Sequence, residues 1–168
     1  MTWVQQKETT NSAGLADVFG VPVEGRIIAV DPGTKRCGVA ICDELRFTTR
    51  PLGVIERTSW KKLLSDIRQV IAEFDAKALV LGLPLESDGT ESEMSVEARR
   101  MARKFSLSLE IPVFLQDERN TSYEAKSRLW QRGKTVVQAR KLADSEAASI
   151  ILSDFLDRAR ALNVEPKK

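Results

Sequence analysis

The period of apolar and polar positions changes several times along the chain, and each change marks an element. Arg26–Asp31 and Arg36–Cys42 are short β-rich runs joined by a Pro32-Gly33 turn. Runs separated so briefly predict an antiparallel hairpin. A third β segment covers roughly Arg50–Ile55. The period then lengthens: Trp60, Leu63, Leu64, Ile67, Val70, Ile71 and Phe74 recur at helical spacing and form one apolar face. Thr58 or Ser59 is placed to cap that helix. Ala78–Leu83 is an unbroken apolar run of strand length, the pattern of a central parallel strand. A polar loop with Asp88-Gly89 follows. A second helix from about Glu93 to Ser108 turns Met94, Ala98, Met101 and Phe105 inward and Arg99, Arg100, Arg103 and Lys104 outward. Ile111–Gln116 is a further short strand, and it runs into Asp117-Glu118-Arg119.

Thr121-Ser122-Tyr123-Glu124 has capping-box spacing and predicts a third helix ending near Gly133. Lys134–Leu142 reads as a basic connection, and a last helix runs to about Leu162. The order βββαβαβαα describes an α/β domain: a mixed sheet, three antiparallel strands first and parallel strands after, flanked by helices. Residues 1–25 read as a loosely ordered arm with a short apolar patch, Leu15–Val23. Residues 26–162 read as one domain and 163–168 as a tail.

A length of 168 residues suits one domain with an independent core. The net charge of +2 neither requires nor excludes nucleic acid, so local clustering has to decide. Cys37 and Cys42 are separated by an odd number of residues within one strand, so they point to opposite faces and read as buried reduced thiols. No run is long and apolar enough to span a bilayer, and the first residues lack the pattern of a signal peptide. The expectation is a cytoplasmic protein with no membrane partner. The chain has no histidine. A His-based triad, a His general base and His metal ligands are thereby excluded, and carboxylates are left as the main ligands for a hard metal.

Acidic residues stand at the ends of several elements. Asp31 closes the first β run, where a carboxylate is costly unless it is ionised and paired, hydrogen-bonded or bound to a metal. Asp117 and Glu118 close the last strand. Asp144 shares a helical face with Ala147, Ala148, Ile151 and Phe155, inside the apolar stripe. Each has a plain structural reading beside the chemical one: a turn carboxylate for Asp31, a solvated strand end for Asp117-Glu118, a helix N-cap for Asp144. Strand ends on one sheet edge can bring such groups together. Gathered carboxylates repel unless a hard cation lies among them, and Mg²⁺ or Mn²⁺, as one or two ions, suits an oxygen-rich site that also takes phosphate.

Four segments in this order carry a resemblance: Val30–Ala40, Leu81–Leu85 with Asp88-Gly89-Thr90, Asp117–Ser122, and Asp144–Leu152. The chain resembles the YqgF (RuvX-like) family of pre-16S rRNA nucleases, part of the RNase H-like superfamily that includes Holliday-junction resolvases. The resemblance runs from Arg26 to about Leu156. It implies an RNase H-like β1β2β3αβαβα fold and metal-dependent hydrolysis of nucleic-acid phosphodiesters. It further implies processing of the 5′ end of pre-16S rRNA in ribosome biogenesis. By residue match it makes Asp31, Glu118 and Asp144 both catalytic residues and metal ligands, with Asp117 the alternative middle acid. Gly133–Ala143 departs from the family's usual glycine- and lysine-rich approach to the last aspartate.

Lys35, Arg36 and Arg119 flank the acids and are candidates for substrate phosphates. Arg128, Arg132, Lys134, Arg140 and Lys141 read as a mobile electropositive rim, while Arg99, Arg100, Arg103 and Lys104 read as a solvated helix face. One tyrosine and few exposed aromatic candidates favour recognition of backbone and shape over base stacking. The expected partner is structured RNA. Branched DNA in recombination or repair is the alternative, as is a non-catalytic nucleic-acid adaptor. Monomer and homodimer both stay open. The Asp31-Pro32-Gly33-Thr34 turn also resembles the first phosphate loop of sugar-kinase and actin-like ATPases, but those need two such lobes and this chain has length for one.

Overall fold

The structure is a computed structural model that describes residues 18–118 and 135–164. Its centre is a five-stranded sheet in the order β3-β2-β1-β4-β5. The strands are β1 Ile27–Pro32, β2 Arg36–Cys42, β3 Thr49–Glu56, β4 Ala78–Leu83 and β5 Val113–Asp117. β1 pairs antiparallel with β2, and β2 with β3, while β1–β4 and β4–β5 are parallel. This is the α/β, RNase H-like mixed sheet that the pattern and the resemblance led one to expect.

The helices are α1 Trp60–Phe74, α2 Glu93–Ser108 and α3 Val136–Val164. α1 forms where the 3.6-residue apolar period lies, and Ser59 caps it by accepting from the Lys62 amide. Ser92 and Ser95 cap α2 reciprocally. The predicted helix from Thr121 to Gly133 lies outside the described residues, as do Arg119, Arg128, Arg132 and Lys134.

Alternation along the strands divides the core in two. One set, with Ile28, Val30, Leu79, Leu81 and Val113, packs beneath α1 and α2. The other, with Ile27, Ala29, Val80 and Phe114, packs beneath Ile151, Leu152 and Phe155 of α3. Cys37 belongs to the first set and Cys42 to the second, both as free buried thiols on opposite faces. Val18 and Val21, from the described part of the N-terminal arm, lean on the α3 side.

Two readings need correction. β5 starts at Val113, not Ile111; Pro112 precedes it and contributes only its carbonyl, which accepts from the Leu79 amide at 3.0 Å. Most of the supposed basic connection Lys134–Leu142 is helical, because α3 begins at Val136. Its first turns carry Gln138, Arg140 and Lys141 on exposed positions, so the apolar period is masked there. Asp144 therefore lies inside a helix and is not its N-cap. Among the described residues no helix is long and apolar enough to cross a membrane.

Candidate active site

Asp31 follows Val30, the last residue of the dry run of β1, whose side chains from Ile27 to Val30 are fully buried. Counting alternately along β1, Asp31 falls on the α3 side, with Ile27 and Ala29. The same counting along β5 sends Phe114, Gln116 and then Glu118 to the α3 side, and Asp117 to the α1/α2 side with Val113 and Leu115. The Glu118 amide donates to the Leu83 carbonyl at 3.1 Å, which anchors Glu118 as the chain leaves the sheet. Glu118 rather than Asp117 thus meets Asp31.

Two glycines make this meeting sterically possible. Gly38 is the cross-strand partner of Asp31. A Cβ on Gly38 would lie 1.9 Å from the backbone oxygen of Asp144. α3 therefore rests its backbone directly on β2, and it does so at Asp144. On the other flank, Gly82 lies one step past the Val30–Leu81 pair. A Cβ there would come within 2.7 Å of both Glu118 Oε2 and Ile151 Cδ1. The missing side chains on the two strands that flank β1 are the space into which Asp144 and Glu118 are brought. Sequence reading missed this role, although a glycine inside an otherwise continuous strand is the signal of a close approach.

The electrostatics are those of a crowded acidic pocket. Glu118 is 8 % exposed, and its buried Oε2 has no hydrogen-bond donor among the described residues. Burial pushes the Glu118 carboxyl up to about 10, and the neighbouring Asp31 and Asp117 charges add to the rise. Burial likewise raises Asp31, offset in part by a hydrogen bond from Glu118, while the Asp144 charge raises it further. Without a cation, then, Glu118 keeps its proton and donates it to Asp31. Asp144 is held differently: Arg36 Nε reaches its Oδ2 at 2.5 Å, across 108 residues of sequence. Among the described residues no three acidic groups form a closed metal cage, for Asp144 is turned to Arg36.

Lys35 is exposed at the β1–β2 turn. That turn is braced by Arg57, a residue the sequence reading passed over. Its side chain donates to the Gly33 carbonyl at 2.6 Å and to Glu97 at 3.2 Å, and its amide donates to the Lys35 carbonyl at 2.8 Å. Arg119 lies outside the described residues.

The sequence matches the RuvX family, described as Holliday junction resolvase, over residues 25–158. A protein of Anaeromyxobacter sp. (strain K) named "Putative pre-16S rRNA nuclease" is 40% identical over 79% of this chain and 97% of its own length. A protein of Thiobacillus denitrificans with the same name is 41% identical over 79% of this chain and 92% of its own. Among solved structures, Thermus thermophilus RuvC in complex with Holliday junction substrate superposes with a TM-score of 0.49 at 17% identity, over 80% of this chain and 95% of that one. The match across nearly the whole sheet, and relatives of this identity and coverage, establish that the chain belongs to the RuvX family.

Proposed function

We propose that this protein is a divalent-metal-dependent endonuclease that hydrolyses nucleic-acid phosphodiesters and processes the 5′ end of pre-16S rRNA. The observation that carries the reading is the carboxyl pair of half-buried Asp31 and buried Glu118, with Asp144 brought over it on Gly38. Nothing in the packing needs two acids there. Two carboxyls that can keep only one charge between them, and an Oε2 with no donor among the described residues, are costs that a fold does not keep without a return.

The residues fit a hard cation. Oε2 of Glu118 lacks a donor, and Asp31 beside it offers a second oxygen ligand set. Asp31 and Glu118 would hold Mg²⁺ or Mn²⁺, and Asp144 would complete the set after giving up Arg36. The bound ion would supply Lewis acidity, lowering the pKa of a water and stabilising charge on the phosphodiester. With an ion held there, Glu118 would serve as a carboxylate, its proton given up to solvent. Arg36, freed from Asp144, turns to the substrate backbone together with Lys35 and Arg119. The curated relatives' name supports RNA as substrate and, with it, a cytoplasmic site of action. The family's description supports a second reading, cleavage of four-way DNA junctions, which would call for a symmetric dimer.

One experiment tests both. Wild type and Asp31→Asn are offered a pre-16S 5′ region, a four-way DNA junction and single strands, with Mg²⁺ or Mn²⁺ and with EDTA. The expected result is ion-dependent cut RNA with wild type and none with Asp31→Asn. Equal cutting by a folded Asp31→Asn overturns the site, and cutting confined to junctions replaces the rRNA reading by the resolvase one.

A further inference from the structure

The carboxylates occupy the α3 side of one sheet end. At the same end, on the α1/α2 side, a cleft is lined by Thr34, Arg57, Ser59, Trp60, Arg100 and Lys104. Thr34 belongs to the same β1–β2 turn that follows Asp31, and Arg57 follows β3 and clasps that turn. Glu97 is the one acid among the lining residues. It is shared between Arg57, at 3.2 Å, and Arg100, at 3.3 Å, so the three basic groups of the cleft exceed the acid by two charges. The Lys104 ammonium lies 5.2 Å from the centre of the Trp60 ring, which is itself fixed against Phe105 at 4.8 Å. Arg100 remains 65% exposed, its guanidinium only partly used by Glu97. α1 also begins at this point with no acidic residue in its first turn. The lining is thus preorganised cations and hydroxyls around an opening, with little carboxylate to satisfy them.

We propose that this cleft binds a backbone phosphate of the substrate strand, so that the strand crosses the sheet end from the α3 side, where it is cut, to the α1/α2 side, where it is held. The inference rests on the nuclease reading above and adds to it a second anchor on the opposite face. The chemistry recognised is a phosphate oxygen pair, which a nucleic-acid phosphodiester and free phosphate share. The location favours the diester, because the turn that carries Thr34 is the one that follows Asp31. Base identity plays no part, for the Trp60 ring is taken up by Lys104 and Phe105.

The test uses the full chain in EDTA, so that bound RNA stays whole. The indole N–H resonance of Trp60, assigned by its loss in Trp60→Phe, is followed while a short single-stranded RNA with hydroxyl ends is added, and separately with inorganic phosphate. Binding of the same RNA is measured against salt for wild type and the Arg100→Gln/Lys104→Gln double variant, both of whose positions are exposed. RNA should move the Trp60 resonance. The double variant should abolish that shift, and its log–log salt dependence should be shallower by about 1 to 2. RNA that binds without moving Trp60, RNA that fails to bind, or an unchanged salt slope overturns the proposal. So does a shift with inorganic phosphate and none with RNA, which would make the cleft a simple anion trap. Cleavage with Mn²⁺ is scored in parallel. RNA docked at Trp60 but never cut would sink the nuclease reading and leave the cleft standing, whereas cutting indifferent to the double variant does the reverse.

Discussion

The two faces of the sheet treat charge in opposite ways at the same end of the molecule. On the α1/α2 side, the charged groups are solvent-accessible and cations are in excess: Arg57 has Glu97 and a backbone carbonyl, and Arg100 shares the same glutamate while staying largely exposed. On the α3 side, two carboxyls are pressed together and, among the described residues, one oxygen has no donor and the third carboxyl is answered by Arg36. The first arrangement stabilises the turn it touches, since a charge with partners and solvent costs little. The second costs stability above the ordinary carboxylate range, because Glu118 must take up a proton there to share the site with the Asp31 charge. Where a fold accepts that cost, something absent from the bare chain must offset it. On the proposals made above, the contrast also separates the tasks: one face would react and the other would hold.

The sharpest way to break this contrast is to fill the space that makes the α3 side possible. Gly38→Ala would drive a methyl group into the Asp144 carbonyl, and neither backbone can yield without lifting α3 from β2. A loss of about 3 kcal/mol or more in urea unfolding is expected, along with loss of cleavage. Gly82→Ala offers a finer comparison. Its methyl would meet only side-chain ends, Glu118 Oε2 and Ile151 Cδ1. The expected stability loss is about 1 to 2 kcal/mol, but the displaced Glu118 should cost about tenfold or more in rate. If both substitutions proved equal in stability, the claim that α3 seats its backbone on Gly38 would fail.

Glu118→Gln separates function from stability. Activity should fall by on the order of 100-fold, since an amide is a poor ligand for a hard cation. Metal-free stability should hold or rise, because the amide can still donate to Asp31 and carries no charge to desolvate. The pH dependence follows by linkage. Glu118 titrates higher folded than its ordinary value of 4.5, so the folded state binds the extra proton. Stability is therefore greatest below that value and falls as pH rises above it, by up to about 1.4 kcal/mol per pH unit. Denaturation across this range in EDTA should show the fall in wild type and a flatter profile in Glu118→Gln. Identical profiles would mean that the pair is not strained.

Much of this contrast was legible in the sequence. The strand and helix pattern fixed which residues face the core, and Asp144 declared itself by sharing a stripe with Ala147, Ala148, Ile151 and Phe155, all of which lie beneath or beside the sheet. Three features were not legible, for physical reasons. The start of α3 was hidden because its first two turns, with Arg140 and Lys141 outward, show no apolar stripe. Asp117 and Glu118 could not be told apart because β5 puts apolar residues against both helical layers, Val113 and Leu115 on one and Phe114 on the other, so alternation has no solvated face to count from. Gly38 and Gly82 signal a close approach, but not what approaches, since the groups that do so, Asp144 for one and Glu118 with Ile151 for the other, stand far along the chain.

The smallest expected effect tests that distinction directly. Asp117 is paired in register with Leu83, and alternation with Val113 and Leu115 puts its side chain toward α1 and α2. It acts on the pair only at a distance, through its charge, which helps to raise Glu118. Asp117→Asn should therefore lower the Glu118 titration slightly and leave ion-dependent cleavage within about threefold of wild type, against the far larger loss in Glu118→Gln. A loss in Asp117→Asn as deep as in Glu118→Gln would move the middle acid to the other side of β5. The two faces would then no longer divide the work, because the reacting group would stand on the side that holds.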